Sequence, residues 1–298
     1  MLDLFRRWRE RGWREIDADE YEEAWHQFGG SVATHPEIVG RLSCLARIPV
    51  RYLGWFAGDQ LLAAIPCWGA HLALAKEVLK QRGRRNLFDL GNAEVILPIA
   101  RDARVPVRQR MRYVSEINAE QISGLQPQAE GLALVRSPEE YSPKFRYNQR
   151  RELRLFEEAG GRRQAMADLS PMQQAMIYAD LFQRRWGFAP RGKAYLGEVF
   201  DLLREFMTGS LLLRNDRPVA IQIIYRVEAP HWLSVEYING GVDPEAKELS
   251  PGSVLTYINM LAAWEEARAR RKALRFSFGR ADRPYKDRWC HRVAVYQR

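Results

Sequence analysis

The sequence is poor in cysteine, and its few cysteines form no recognisable pattern. Cys44, Cys67 and Cys290 are an odd number and lack the paired spacing of a zinc site. We therefore expect free or buried thiols in a reducing compartment, which favours a cytoplasmic protein.

The sequence also lacks a long uninterrupted apolar run. The nearest stretch, QLLAAIPCWGAHLALA, is broken by Pro66, Gly69 and His71. A membrane span needs roughly 20 consecutive apolar residues, so no transmembrane helix is predicted. The charged N-terminus is not followed by the apolar segment of a signal peptide, so we expect none.

Common catalytic signatures are missing as well. The chain has no G-x-S-x-G elbow, no P-loop lysine signature and no cluster of His and Cys. These absences argue against a covalent serine mechanism, P-loop chemistry and a bound metal. The histidines are few and scattered: His26, His35, His71, His231 and His291.

Positive charge is concentrated in the second half of the chain. Of the 298 residues, 46% are hydrophobic, which is enough for a packed core in one large domain or two ordinary ones. Residues 1–135 contain 18 Lys and Arg against 17 Asp and Glu, whereas residues 136–298 contain 28 against 20, a net charge of +8. Such a surface suits a phosphorylated cofactor, a nucleic acid or an anionic membrane, or it serves solubility alone.

A stretch punctuated by Pro and Gly, SGLQPQAEGLALVRSPEEYSPKF, is the best internal boundary. It predicts two halves, residues 1–135 and 136–298. In the first half, MLDLFRRWRERGW predicts a short basic amphipathic helix, which either lies on an anionic membrane or docks on its own domain. A helix with Asp17 or Asp19 as its candidate N-cap, two strands joined at Gly58-Asp59 and a short strand in EVILPIA are predicted to follow.

The second half predicts a sheet with a crossover helix. Helices begin at Ser142-Pro143 and Ser170-Pro171, and three antiparallel strands occupy SLLLRNDRPVAIQIIYRVEAPHWLSVEYING. A long helix from Ser250 to about Arg271 precedes a last strand, ALRFSF. This order predicts an α/β (α+β) fold with a mixed, mostly antiparallel sheet.

The start of the long helix, in ELSPGSVLTYI, is the first candidate binding site. The first amides of a helix lack intrahelical partners and attract anions. Gly252 would let a phosphate approach the backbone, and the hydroxyls of Ser250 and Ser253 could bind it. Alternatively, ordinary capping of the helix by Ser250, with Pro251 at the first helical position, explains the same sequence.

A basic helix face is the second candidate. Arg146, Arg150 and Arg154 recur every four residues of a predicted helix. Like charges at this spacing repel each other by a few tenths of a kcal/mol per pair, roughly, and an external anion would relieve the repulsion. Alternatively, these arginines are simply solvated or pair with nearby glutamates.

The charged tail FSFGRADRPYKDRW is the third candidate. Gly279 would allow a sharp exit from the last strand or a close approach by a ligand. Arg280 and Lys286 would then face an anion. Alternatively, Asp282 and Asp287 only neutralise neighbouring arginines at the surface.

Several stretches together resemble known proteins. YSPKFRYNQRRELRLFEEAGG, YINGGVDPEAKELSPGSVLTYIN and FSFGRADRPYKDRW are similar to GNAT-like acyltransferases of the FemAB and peptidoglycan-modifying type. With WHQFGGSVATHPEIV included, nearly the whole chain resembles the macrophage-inducible Mig-fourteen family of Gram-negative bacteria. The resemblance implies tandem GNAT-like halves. It also implies a link with virulence and antimicrobial-peptide resistance at the cytoplasmic face of the inner membrane.

The resemblance further implies a donor site. GNAT proteins bind the pyrophosphate of coenzyme A at a helix start, which would here be Ser250, Gly252 and Ser253, and Arg146 and Arg150 would add positive charge. The dense glycine pattern of acyl-CoA loops is missing from the chain, and the net charge of the second half suits an aminoacyl-tRNA donor. The tail residues that match the FemAB-type motif are Phe278, Gly279, Arg280, Tyr285 and Lys286.

The implied reaction is acyl transfer to an amine, achieved mainly by positioning and by a base that removes the amine proton. Glu236 is the candidate base, Tyr237 lies on the opposite face of the same predicted strand, and Lys286 comes from the tail. Glu236 could instead be a buried structural group.

Two other functions compete with the enzyme. A non-enzymatic resistance or regulatory protein would reuse the fold for binding and contact the inner membrane through residues 1–13. DNA binding is the least favoured function, because the sequence contains no helix-turn-helix pattern.

Overall fold

A computed structural model describes residues 2–298, with side chains from residue 6 onward. The helices are α1 (Leu2–Arg9), α2 (Ala18–Phe28), α3 (Pro36–Ala46), α4 (Lys76–Gln81), α5 (Pro143–Glu158), α6 (Pro171–Trp186), α7 (Leu196–Leu202) and α8 (Pro251–Ala269). The strands are β1 (Trp13–Ile16), β2 (Arg51–Ala57), β3 (Gln60–Trp68), β4 (His71–Leu72), β5 (Val114–Ser115), β6 (Gln126–Pro127), β7 (Leu132–Val135), β8 (Gly161–Ala165), β9 (Met207–Thr208), β10 (Ser210–Arg214), β11 (Arg217–Glu228), β12 (Trp232–Val242), β13 (Ala273–Arg280), β14 (Cys290–Val293) and β15 (Val295–Gln297).

Strands β1 to β4 form an antiparallel sheet in the first half of the chain. Helix α2 starts where the sequence predicts, because Asp17 accepts the Glu20 N–H at 2.8 Å and Glu20 accepts the Asp17 N–H at 2.9 Å. The strand predicted in EVILPIA is wrong. Residues 94–100 form only isolated bridges, and Pro98 has no N–H to donate to a ladder.

The basic N-terminal helix is present as α1 and docks on the first sheet. Glu10, just beyond the helix, pairs with Arg51 of β2 at 2.8 Å, and Arg108 lies 5.1 Å from the centre of the Trp8 ring. Docking on its own domain, one of the two expected roles, is therefore observed. The side chains of Leu2 and Phe5 lie outside the described part of the chain.

The second half contains a larger sheet in the order β14-β7-β13-β12-β11-β10-β8, with β9 also paired to β11. Strands β10, β11 and β12 are antiparallel as predicted, and α8 crosses over to β13, which runs parallel to β12. The mixed, mostly antiparallel α/β fold is thereby confirmed. Edge strand β8 was not predicted, because its sequence GRRQA is polar and its pairing with β10 is decided elsewhere in the chain.

Strands are exchanged across the predicted boundary at residue 135. Strand β7, which ends the first predicted half, lies between β13 and β14 in the large sheet. The final strand, β15, returns to pair with β5 and β6 from the first half. The two halves are therefore joined by backbone hydrogen bonds as well as by the chain, and the boundary itself stays a prediction.

Strands β12 and β13 separate part-way along their length. Their parallel pairing begins at Trp232 and Ala273 and ends at Glu236 and Ser277, although β12 continues to Val242 and β13 to Arg280. On the other side of β12, the pairing with β11 contains an irregularity after Ile223. The sheet therefore opens beside the start of α8.

Candidate functional site

A cleft of about 430 Å³ lies where the two strands separate. It is bordered by the end of β12, the start of α8 and the turn Pro284–Arg288. We call it the Tyr237 cleft. The predicted site residues that line it are Tyr237, Ser250, Gly252 and Ser253.

Tyr237 is fixed by close packing on both sides. Its ring meets Phe278 of the neighbouring strand edge-to-face, with ring centres 5.1 Å apart. Gly240 leaves room for the phenol, because a Cβ there would lie 2.6 Å from the Tyr237 Oη. Burial raises the pKa of Tyr237 well above that of an exposed tyrosine, so the phenol stays neutral and can donate a proton.

A hydrogen-bond network forms the polar floor of the cleft. Gln222 of β11 donates to Thr256 at 2.8 Å and accepts from Asn259 at 2.8 Å. Thr256 in turn donates to the carbonyl of Gly252 at 2.8 Å. These bonds hold the first two turns of α8 against the sheet, so the helix start is rigid before any ligand binds.

The first turn of α8 is not capped in the ordinary way. Ser250 adopts a left-handed conformation with φ of 49°, and its carbonyl accepts the N–H of Ser253 at 2.9 Å. Within the described residues, the Ser250 hydroxyl makes no capping hydrogen bond to the helix. The capping explanation of this sequence is therefore not observed, and the hydroxyl is available to a ligand.

Cationic side chains surround the opening of the cleft, namely Arg185, Lys247 and Arg288. Arg288 lies 3.6 Å from Glu152, whereas Arg185 stacks over Trp186 at 4.9 Å and forms no ion pair within the described residues. The sequence analysis missed Arg185. The available signal was the basic last turn of α6, FQRRWG, which does not reveal what that helix end faces.

Glu236 lies on the other face of β12 and does not line the Tyr237 cleft. It is fully buried, and one of its oxygens accepts the backbone N–H of Glu94 at 2.8 Å. Burial, together with the neighbouring Glu94 carboxylate, raises the pKa of Glu236 well above its usual value. This arrangement matches the structural alternative stated for Glu236.

The charged tail residues Arg280 and Lys286 form hydrogen bonds and ion pairs with other protein groups and do not line the cleft. Lys286 donates to the carbonyls of Phe278 at 2.8 Å and Arg280 at 2.7 Å, and burial lowers the pKa of its ammonium group. Arg280 pairs with Glu130 at 2.9 Å and with Asp282 at 2.8 Å. Lys286 therefore holds the turn that presents its neighbour Tyr285 to the cleft.

The basic face of α5 lies apart from the cleft. Arg146 donates to the carbonyl of Pro138 at 3.3 Å, and Arg154 lies 3.5 Å from Glu158. Arg150 is exposed. These arginines do not line the Tyr237 cleft.

Comparison with known proteins places the chain in a family. The model of the Mig-14 family matches residues 35–298. The chain belongs to the Mig-14 family. This membership confirms the resemblance found in the sequence. No curated protein sequence matches the chain at a significant level.

Two solved structures share the fold of this Mig-14 family member. The crystal structure of FemX is similar with a TM-score of 0.56 and 10% identity, over 96% of this chain and 95% of FemX. The C-terminal domain of a putative lysylphosphatidylglycerol synthetase from Agrobacterium fabrum is similar with a TM-score of 0.52 and 12% identity, over 94% of this chain and 90% of that domain. At these identities the similarity establishes the fold, which is the GNAT/FemAB-like fold expected from the sequence.

The described part of the chain contains neither a membrane-spanning helix nor a metal-binding group of side chains. Between residues 2 and 298, no helix has both the length and the apolar character to cross a membrane. In the same part of the chain, no three His, Cys, Asp or Glu side chains are grouped to hold a metal ion.

Proposed function

We propose that this protein transfers an acyl or aminoacyl group to an amine, with the donor bound in the Tyr237 cleft. The observation that carries the proposal is the separation of β12 and β13 beside the start of α8. At that point a neutral phenol, a rigid helix start and three cations surround one cavity. The transferase-type fold of the family supports the same reaction class.

The donor is an acyl-CoA or an aminoacyl-tRNA, because each of these molecules carries both phosphates and an activated acyl group. Their phosphates would contact the cations around the opening, of which Arg185 and Lys247 form no ion pair among the described side chains. The amides at Gly252 and Ser253 would add hydrogen bonds to the same phosphates. The similarity to a domain of a putative lysylphosphatidylglycerol synthetase favours the aminoacyl donor.

The reaction needs only one proton relay. The amine nitrogen attacks the carbonyl carbon, a C–N bond forms, and the C–S or C–O bond to the donor breaks. Tyr237 gives its proton to the departing sulfur or oxygen and regains one from the ammonium group of the adduct. The neutral state of Tyr237 suits this role.

An aminoacyl product would explain the resistance role implied by the family resemblance. Transfer of a lysyl residue to an amine replaces one ammonium group with two, because the new amide is neutral and lysine carries both an α- and an ε-ammonium group, and it therefore makes the local charge less negative. Cationic peptides are then attracted less strongly to that surface. We propose that the activity is located at the cytoplasmic face of the inner membrane, as the family resemblance implies.

A transfer assay tests the proposal. The purified protein is incubated with labelled acetyl-CoA, longer acyl-CoA or lysyl-tRNA and an amine acceptor, and product is counted. Arg185→Ala should raise the KM for the active donor about tenfold, which corresponds to one lost charged contact. The matched control Arg217→Ala removes an exposed arginine outside the cleft and should change nothing. Absence of transfer and of donor binding with all three donors would refute the proposal.

Peripheral membrane binding without catalysis is a second candidate. Exposed aromatic side chains lie near cations at the end of α6 and just beyond it, where Trp186 is 47% and Phe188 60% exposed, close in sequence to Arg185 and Arg191. Trp8 of α1 is 61% exposed. Such pairs of aromatic and basic side chains suit an anionic lipid surface.

Vesicle pelleting separates the two candidates. Anionic vesicles should sediment the full chain, and deletion of residues 1–13 or the change Trp186→Ser should reduce the bound fraction. Binding to vesicles without any transfer activity would favour the non-enzymatic function. Unchanged sedimentation in both variants would exclude these segments as the membrane contact.

A further inference from the structure

A second cavity, of about 420 Å³, lies in the first half of the chain. Its walls are β4, α4 and two segments at residues 88–95 and 110–113. The volume falls in the range of small-molecule sites, about 300–1,000 Å³. The floor is apolar and includes Leu72, Leu79, Phe88, Leu90, Val95 and Met111.

Positive charge predominates at its rim. Lys76 lies 3.0 Å from Asp89 and Arg112 lies 3.2 Å from Glu130, so both have anionic partners. Arg110 also lines the cavity, and none of the described side chains forms an ion pair with it. Among the described residues of the lining, Glu77 has the only side-chain carboxylate, and the C-terminal residue Arg298 also lines the cavity. An anionic group beside Arg110 would therefore meet a cation that forms no ion pair with any described side chain.

The imidazole of His71 lines this cavity and lacks a hydrogen-bond partner among the described residues. The residue is only 9% exposed, and within residues 2–298 its ring makes no hydrogen bond. Burial first, and then the nearby Arg110, lower the pKa of His71, so the ring is neutral near pH 7. A buried imidazole normally has a hydrogen-bond partner. For His71, a ligand bound in the cavity could supply that partner.

Backbone strain marks the same cavity. Leu74 has φ of 64° and Tyr113 has φ of 57°, and both side chains line it. Bulky residues rarely adopt the left-handed conformation, and such strain is concentrated at functional sites.

We propose that this cavity binds an anionic amphiphile, with an alkyl chain on the apolar floor and a phosphate or carboxylate head between His71 and Arg110. The inference does not rest on the transferase proposal. The cavity wall at Gly91 and Asn92 also touches the second half, because an added Cβ at Gly91 would contact Ile238 and one at Gly279 would contact Asn92. A bound ligand therefore lies next to the strands that separate.

Isothermal titration with dodecyl phosphate, kept below its micelle concentration, tests the site. Dodecyl phosphate and dodecanoate should bind one molecule per chain. Inorganic phosphate and the neutral dodecyl maltoside should bind at least tenfold more weakly, which distinguishes an amphiphile from a free anion and from detergent adsorption.

Two variants assign the binding to this cavity. Arg110→Ala should weaken dodecyl phosphate at least tenfold, whereas Arg104→Ala, an exposed arginine outside the cavity, should leave the affinity unchanged. The His71→Leu change is an independent test and should weaken the binding of dodecyl phosphate several-fold. Thermal melts confirm that each variant is folded. Equal affinity for inorganic phosphate, or full affinity in both the Arg110 and His71 variants, overturns the proposal.

Discussion

The side-chain oxygen of Glu236 accepts the backbone N–H of Glu94 at 2.8 Å, and both glutamates are buried between the two halves of the chain. Only one of them has a cation, because the Arg275 Nε donates to Glu94 at 2.9 Å. Glu236 is therefore the group that avoids charge by holding a proton. Its raised pKa follows from burial and from the neighbouring Glu94 carboxylate.

We predict that Glu236 makes the stability of the protein fall as the pH rises. A carboxyl group with a higher pKa in the folded state stabilises the fold below its unfolded pKa of about 4.3, and this contribution is lost as the pH rises from there through the folded pKa. Glu236→Gln keeps the shape without the titration. The melting temperature of the variant relative to wild type should therefore be higher at pH 8 than at pH 5.

The Glu23→Gln change, which removes an exposed carboxylate, is the control and is measured at the same two pH values. A Glu236→Gln difference that is the same at both pH values would show that Glu236 ionises normally.

We predict a large loss of stability on removal of Arg275. Its guanidinium forms two hydrogen bonds with the buried Glu94, and Arg275→Ala leaves that carboxylate without a cation. The free energy of unfolding should fall by about 3–5 kcal/mol in urea denaturation. Adding Glu94→Gln should restore part of the loss, because the uncompensated charge is gone. A double variant as unstable as the sum of the two single variants would contradict this explanation.

We predict opposite effects for two Gly→Ala changes. At Gly240 an added Cβ would lie 2.6 Å from the Tyr237 hydroxyl and 2.7 Å from the Ile221 carbonyl, so Gly240→Ala should cost about 1–3 kcal/mol. At Gly40, inside α3, nothing lies within 4 Å of the new Cβ. Gly40→Ala should therefore stabilise the fold by about 0.5–1 kcal/mol. Chemical denaturation of both variants measures the contrast, and equal shifts would refute it.

We predict that Tyr237→Phe reduces transfer by roughly 10²–10⁴-fold in kcat, the usual size of a lost acid-base contribution. The KM for the donor should change little, because the ring packing against Phe278 is kept. Tyr147→Phe, at an exposed position on α5, is the control and should leave the rate unchanged. A large rise in KM with unchanged kcat would make Tyr237 a binding residue instead.

Local features were predicted well where neighbouring residues decide them. The cap at Asp17 and the turn at Gly58-Asp59 depend on atoms only a few positions apart. Strand β8 was missed because its backbone partner β10 lies about fifty residues away, and the sequence GRRQA gives no apolar pattern.

The candidate site was predicted in part. Ser250, Gly252 and Ser253 line one cleft, as the start of the long helix suggested, but Tyr237 lies beside them instead of the candidate base Glu236. Arg185 arrives from the end of a different helix. Which way Lys286 points could not be read from the tail sequence either, because its partners are backbone carbonyls available only after the turn has formed.

The sequence by itself determined the antiparallel strands β10 to β12, the crossover through α8 and the membership of a family, because each is carried by short-range patterns of apolar, turn and motif residues. Only the tertiary structure decided which charged groups are buried or paired and which remain available to a ligand. It buries Glu236 against Glu94 across 142 positions of sequence and leaves Arg185 facing the cleft. Burial and pairing set whether a charge is neutralised, shielded or available to a ligand, and both depend on segments that are distant in the chain.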